Sequence, residues 1–202
     1  LGSWDKIVVS SVLSEKNSWV EGRNILEAAA QAGKKPYEFM RDLIIEERDN
    51  VDMVIFMMNE DNLKRILAHP LVGIGADGSV RSPEGVLAKG KPHPRVYGTF
   101  VRALGKYARD EKIVPVEEMI MKMTSRTAAK YGLDGRGSIQ PGRWAALAIF
   151  DPDKVIDRAT CKEPHQFPEV IVHVFVNGEA VVRDGAPTGK LPGKILRKTV
   201  PA

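Results

Sequence analysis

A single cysteine, Cys161, occurs in 202 residues, so no disulfide can form within the chain and no cysteine-based zinc site can be built from it alone. A reducing cytoplasm is the compartment this suits. No apolar run reaches the roughly 18 residues a membrane span needs, and the amino end lacks the basic-then-apolar pattern of an export signal. Neither membrane nor secretion is expected. A bulk excess of one charge is missing too: 30 basic against 26 acidic residues leave +4, interspersed along the chain. Two local basic clusters, Lys89, Lys91 and Arg95, and Lys190, Lys194, Arg197 and Lys198, have no interleaved aromatics, so no nucleic-acid partner is expected. Internal repeats and low-complexity stretches are absent. The chain starts at Leu1 rather than Met, which gives the expectation that it is a piece of a longer polypeptide.

What is present has the texture of a globular α/β protein, long enough for one sizeable core or two modest ones. Ile7 to Leu13 is short and β-rich and reads as a strand. Gly22 to Ala32 places Ile25, Leu26, Ala29 and Ala30 on one helical stripe, with Gly33 as a stop, and Pro36 opens a second helix carrying Phe39, Met40, Leu43 and Ile44 to about Arg48. Val51 to Met57 predicts a strand, Asn59 caps a helix with Leu63, Ile66 and Leu67, and Leu71 to Ala76 predicts a third strand. Strand, helix and strand at this spacing predict a βαβ unit with parallel strands. Residues 78–96 are polar and broken by Gly and Pro, and read as an active-site loop. Tyr97 to Arg109, Pro115 to Met123 and a segment from Thr124 to Gly132 are helical in pattern. From Gly135 the chain turns to short β runs, Ala145 to Phe150 and Val170 to Val176, with Asn177-Gly178 marking a hairpin back through Glu179 to Arg183. A boundary near residue 137 follows.

Within this frame Leu71-Val-Gly-Ile-Gly-Ala-Asp77-Gly78 brings a carboxylate to the end of an apolar run, where α/β enzymes place chemistry. Gly78 allows a sharp turn or a close approach. The competing reading of Asp77-Gly78 is an ordinary strand-ending turn, which spacing alone favours. Arg95, in His93-Pro-Arg95, can grip a substrate carboxylate through two parallel hydrogen bonds that Lys cannot copy; its bland alternative is a surface ion pair. His93 enters only as a weak substrate-pocket candidate, because a stiff His-Pro loop explains it equally well. His69, before Pro70, reads as a helix cap answering exposed carbonyls. His165 and His173 read as structural, Ser10 and Ser11 as strand residues, and Met53, Phe56, Met57 and Met58 as core filling.

From about Asp52 onward the ordered segments Phe56-Met-Met-Asn-Glu-Asp, Leu67-Ala-His-Pro-Leu, Gly75-Ala-Asp-Gly, His93-Pro-Arg, Tyr97-Gly-Thr-Phe, Met123-Thr-Ser-Arg-Thr-Ala, Arg136-Gly-Ser-Ile-Gln-Pro-Gly-Arg and Val174-Phe-Val-Asn-Gly closely resemble the last third of the N-acyl-D-amino-acid deacylases, or D-aminoacylases, of the amidohydrolase superfamily. Each segment is weak alone, whereas their shared order is specific. The resemblance implies the carboxyl-terminal part of a (β/α)8 metal-dependent hydrolase barrel followed by strands of a small β domain. Residues 1–137 would be the barrel part, with 1–51 as a possible insertion covering substrate, and 138–202 the β domain. It implies hydrolysis of N-acyl-D-amino acids, with Asp77 catalytic and a possible metal ligand, Arg95 and, weakly, His93 on the substrate, and zinc as the metal.

The family's His-x-His motif, metal-ligand cysteine and two later histidines fall upstream of the matched stretch, and this chain has no His-x-His. Ala76 stands where Ser often precedes the Asp, and Ala146 where Asp usually follows the Ala of the tail strand. The missing amino-terminal part, or a partner subunit, is therefore an expected requirement, and this polypeptide alone is expected to be inactive. The rival readings are a non-catalytic binding or assembly fragment, and another amidohydrolase of dipeptidase-like or ring-opening type.

Overall fold

Strand β1 (Ile7–Val12) pairs antiparallel with β2 (Val51–Ile55), opposing Ile7 to Ile55 and Val12 to Val51. Between them run α1 (Ile25–Gln31) and α2 (Pro36–Glu46). The structure, a computed structural model, describes residues 4–197, so Lys198 of the second basic cluster lies outside it. Two compact units are distinguished: the described residues of Leu1–Asn59 with Asp77–Tyr97 and Ala159–Phe167, and Glu60–Ala76 with Gly98–Arg158 and the described residues from Pro168 onward.

In the first unit local chemistry sets the helices. Asn24 caps α1 by accepting the Glu27 N–H, and Gly33, at φ +65°, follows its end with no Cβ to strain. Pro36 occupies the first turn of α2, where its missing N–H costs nothing. Both helices turn an apolar stripe inward, so that Val9, Val20, Ile25, Ala28, Ala29, Phe39 and Leu43 form one core. Each large member contributes about 1.5–3 kcal/mol by leaving water. Leu26, expected on the stripe, faces solvent instead. The β1–β2 register slips between Val9 and Ser11, leaving Ser10 out of the ladder.

In the second unit α3 (Glu60–Ala68) and α5 (Val116–Met123) accompany, from Gly98 onward, a helix that begins in the first unit as α4 (Arg95–Arg102) and widens into a π segment over Ala103–Asp110. Residues 98, 102, 105 and 109 lie along one stripe of that helix, and all four meet the chain at 152–157. Gly98 presses on Asp157 and Gly105 on the Val155 carbonyl, where a Cβ would collide. Arg102 pairs with Asp157 at 2.8 Å and Arg109 donates to the Val155 carbonyl at 2.9 Å. Val101, Leu104, Tyr107, Ala108, Val114, Met119 and Val155 make the core. Helix α6 (Ser125–Tyr131) ends at Gly132 in the left-handed conformation, as its sequence predicts. The tail forms an antiparallel sheet in the order β3 (Leu147–Phe150), β4 (Ile171–Val176), β5 (Glu179–Arg183), β6 (Ala186–Pro187). Asn177 (φ +51°) and Gly178 (φ +86°) make the expected hairpin turn.

Three expectations are corrected. Leu71 to Ala76 is not a strand: it alternates outward and inward burial with strand period, and Ile74 packs on the core, but it joins no ladder. The predicted parallel βαβ unit is consequently absent among the described residues, since β2 took β1 as an antiparallel partner. A hydrophobic period records which face is buried; it cannot supply the neighbour whose N–H and C=O groups complete a sheet. Nor are Phe56, Met57 and Met58 core, because β2 ends at Ile55 and Met57 is 78% exposed.

Candidate active site

Asp77 sits at the end of the unladdered apolar segment with φ +47°, a left-handed conformation that Asp tolerates better than most residues. The sharp turn is therefore made by Asp77 itself. Gly78 provides the close approach: a Cβ there would stand 3.1 Å from the Val96 Cα, so the lack of one lets the chain lie against the first turn of α4. That contact brings the Asp77 carboxylate to Arg95, with Nη2 to Oδ2 at 2.8 Å. The Asp77 side chain is 87% exposed and that of Arg95 45%, so the pair stands in water. Such a pair is worth about 0–1 kcal/mol and opens cheaply for a competing carboxylate.

His93 has a definite local task. Its Nδ1 accepts the Arg95 N–H at 3.0 Å, which caps the amino end of the helix that bears Arg95. The structure thus brings Asp77, Arg95 and His93 together in one stretch of chain.

The segment between Asp77 and Arg95 is held at its middle. Ser10, freed by the β1 irregularity, donates Oγ–H to the Lys91 carbonyl at 2.7 Å and accepts the Lys91 N–H at 2.6 Å. Gly90, at φ +74°, crosses so close to β1 that a Cβ would lie 2.5 Å from that of Ser11. His165 joins two points of the same segment: Nε2 is 2.9 Å from the Gly90 carbonyl and Nδ1 is 2.9 Å from the Tyr97 hydroxyl. A carbonyl only accepts, so in the neutral ring Nε2 carries the proton and Tyr97 donates to Nδ1. Burial raises the Tyr97 pKa against the opposing pull of Arg81, which keeps that proton on the phenol.

Two buried charges escaped the sequence reading. Glu47, 2% exposed, accepts from the Leu13 and Ser14 N–H groups (both 2.8 Å), the Ser14 hydroxyl (2.5 Å) and the Asn17 amide (2.6 Å). Led by the Ser14 hydroxyl, these donors outweigh the burial penalty and lower its pKa to about 2. Lys122, fully buried, donates Nζ–H to the carbonyls of His69 and Val72, and desolvation lowers its pKa. It thereby does the work expected of His69, whose own Nδ1 instead accepts the Leu71 N–H. Neither residue carries a sequence signal, because each partner lies 30 or more positions away. Ser10 and His165, read as plain structural residues, prove to tie the site segment.

Among the described residues no group of three or more His, Cys, Asp or Glu side chains converges to hold a metal ion. Asp77 offers one carboxylate, too few donors for a zinc site by itself. No helix of the described residues is long and apolar enough to cross a membrane.

Comparison with known proteins gives the family. Residues 12–182 match the model of the amidohydrolase family. The chain is 40% identical over 180 residues to a D-aminoacylase of Alcaligenes xylosoxydans xylosoxydans, covering 89% of this chain and 35% of that protein. It superposes on a crystal structure of D-aminoacylase with a TM-score of 0.82 and 38% identity over 95% of its length, and 38% of the other chain's. An N-acyl-D-glutamate deacylase of Bordetella bronchiseptica, solved with zinc and a phosphonate mimic of the tetrahedral intermediate, gives a TM-score of 0.78 and 33% identity, covering 92% of this chain and 37% of that one. The chain thus spans little more than a third of these relatives. By the family match across most of its length, together with the superposition, the chain belongs to the amidohydrolase family.

Proposed function

We propose that this chain is the carboxyl-terminal part of a cytoplasmic, zinc-dependent N-acyl-D-amino-acid deacylase built on a (β/α)8 barrel. Residues 1–137 belong to the barrel, with 1–51 as an insertion, and 138–202 to a small β domain. The observation that carries this reading is the 2.8 Å approach of Asp77 to Arg95. It sets a group able to move a proton beside one able to hold a carboxylate, the two needs of an acylated amino acid. Arg95 exchanges Asp77 for the substrate's carboxylate and fixes the orientation of the amide through two parallel hydrogen bonds. Asp77, released, accepts a proton from the attacking water as the new C–O bond forms, and returns it to the nitrogen as the C–N bond breaks. His93 serves through the cap that sets the Arg95 backbone, with a minor part in the substrate pocket.

Zinc, which the solved deacylase relative holds, would polarise the carbonyl and activate water. Among the described residues the donors do not complete a site for it, and in this reading its other ligands and much of the substrate pocket come from the rest of the protein. Ile55, Met57, Val80 and Val86 of the first unit are exposed apolar side chains that such a missing part would cover.

The test is turnover by the complete, metal-loaded protein of N-acyl-D- and N-acyl-L-amino acids side by side. Release of free D-amino acid is expected from the complete protein and none from residues 1–202 alone. Absence of D-amino acid release from any substrate, in a protein shown to bind zinc, would refute the assignment and favour a binding or assembly role. Ring opening, or cleavage of unacylated dipeptides alone, would move it to another amidohydrolase class.

A further inference from the structure

We propose that His165 is a positioning residue for substrate binding, acting as a two-ended staple on the segment that carries Asp77 and Arg95. This rests on the deacylase reading above and extends it to a residue 70 positions beyond the site. Between Asp77 and Arg95 the only regular structure is the 3-10 turn Gly85–Ala88, and the bonds within the segment, such as Arg81 Nη1–H to the Lys89 carbonyl at 3.2 Å and the Asp77–Arg95 pair, are exposed and weak on their own. Three outside contacts hold the segment. Ser10 fixes Lys91 from both its N–H and its carbonyl. Lys91 in turn donates Nζ–H to the Lys162 carbonyl at 3.1 Å, tying in the segment that bears His165. The imidazole then bonds Gly90 on one side and Tyr97 on the other.

Tyr97 lies two residues after Arg95 on α4, so the bond to its hydroxyl limits rotation of the first helical turn, and with it the aim of the guanidinium. Its ring is wedged edge-on against both His165 (centroids 5.7 Å apart) and Phe167 (5.9 Å), which leaves the phenol one orientation toward Nδ1. Gly90 cannot retreat, since β1 is already as close as a glycine permits. The side chain that bonds both Gly90, in the middle of the segment, and Tyr97, on the helix after it, is a histidine. Its rigid ring presents a donor and an acceptor at fixed separation, which two independent side chains would not.

The experiment uses the complete metal-loaded protein. His165→Ala is expected to raise KM for an N-acyl-D-amino acid about tenfold while kcat stays within about twofold, because orientation of the carboxylate is lost and the proton-transfer group is kept. In an Arg95→Ala background the same change should raise KM no further. His165→Gln, which retains a donor for Gly90 and an acceptor for Tyr97, should restore KM to within about twofold. Hydrogen exchange at the Lys91 amide should accelerate about tenfold in His165→Ala, with the β4–β5 ladder unaffected. Unchanged exchange at Lys91, or a KM effect fully additive with Arg95→Ala, would overturn the proposal. If the wild-type protein hydrolyses no N-acyl-D-amino acid, the deacylase reading falls, while the exchange measurement still decides whether the staple exists.

Discussion

Two carboxylates of the first unit, Glu47 and Asp77, differ in burial and in partners, and the difference separates a structural anion from the one proposed to do chemistry. Glu47 is sealed at the junction of β1 and α2 and satisfied by neutral donors from three residues, with no cation among its hydrogen-bond partners. Asp77 is nearly fully exposed and meets a guanidinium. The intuitive ranking, in which the ion pair is the stabilising element, is reversed. In water a charge pair gains little over solvation, whereas a buried anion must be fully hydrogen-bonded, and removing it strands every donor aimed at it. The exposed pair is thus the one that separates at little cost, as its proposed role at the substrate requires.

Breaking each member should separate the two roles cleanly. The largest effect is expected at Asp77: in the complete protein Asp77→Asn should lower kcat by about 10²–10⁴, the usual worth of a general acid–base group, while its melting temperature holds. Asn is the sharper probe, since Asp77→Ala also adds about 1–2 kcal/mol of strain at φ +47°. Glu47→Ala should do the converse, destabilising the fold by roughly 3 kcal/mol in denaturant titration, with KM and kcat of the surviving folded protein near wild type.

Acid sharpens the contrast further. The folded pKa of Glu47, about 2, lies below the ordinary 4.5, so the stability owed to its ionisation is complete above pH 4.5 and is lost as pH falls from there through about 2. That contribution is on the order of 2–3 kcal/mol, and Glu47→Gln should flatten this limb of a stability-against-pH curve. Smallest is Arg95→Lys: KM should rise about tenfold because an ammonium cannot bond a carboxylate in two parallel contacts, with stability changed by less than about 1 kcal/mol. A marked stability loss from Arg95→Lys would erase the distinction drawn between the two carboxylates.

Much of the local structure was legible in the residues. Pro36 announced a helix start, Gly33 and Gly132 helix ends, and Asn177-Gly178 a hairpin, because each acts through backbone preferences within a few positions. The pairing of Asp77 with Arg95 was legible as well, through the ordered segments that resemble the deacylases. The partner of β2 was not. A β-rich run advertises a buried face and says nothing of direction, so a parallel neighbour at 71–76 was expected where an antiparallel one at 7–12 was found. Lys122 carries no mark in the sequence that sets it apart from any other helix lysine, yet it is buried against two carbonyls. Its recognition requires knowing that the 69–72 turn lies beside α5.

The sequence by itself determined where helices begin and end, where the tail reverses, and which carboxylate and guanidinium to watch, since those depend on interactions over short stretches or on an ordered set of motifs. Tertiary structure alone decided that Glu47 is sealed, that Ser10 and His165 hold the site segment, and that Leu71 to Ala76 stays outside any ladder. The first two depend on hydrogen bonds between groups 30 to 81 positions apart, which exist only once the chain has folded, and the third on which strand β2 takes as its partner.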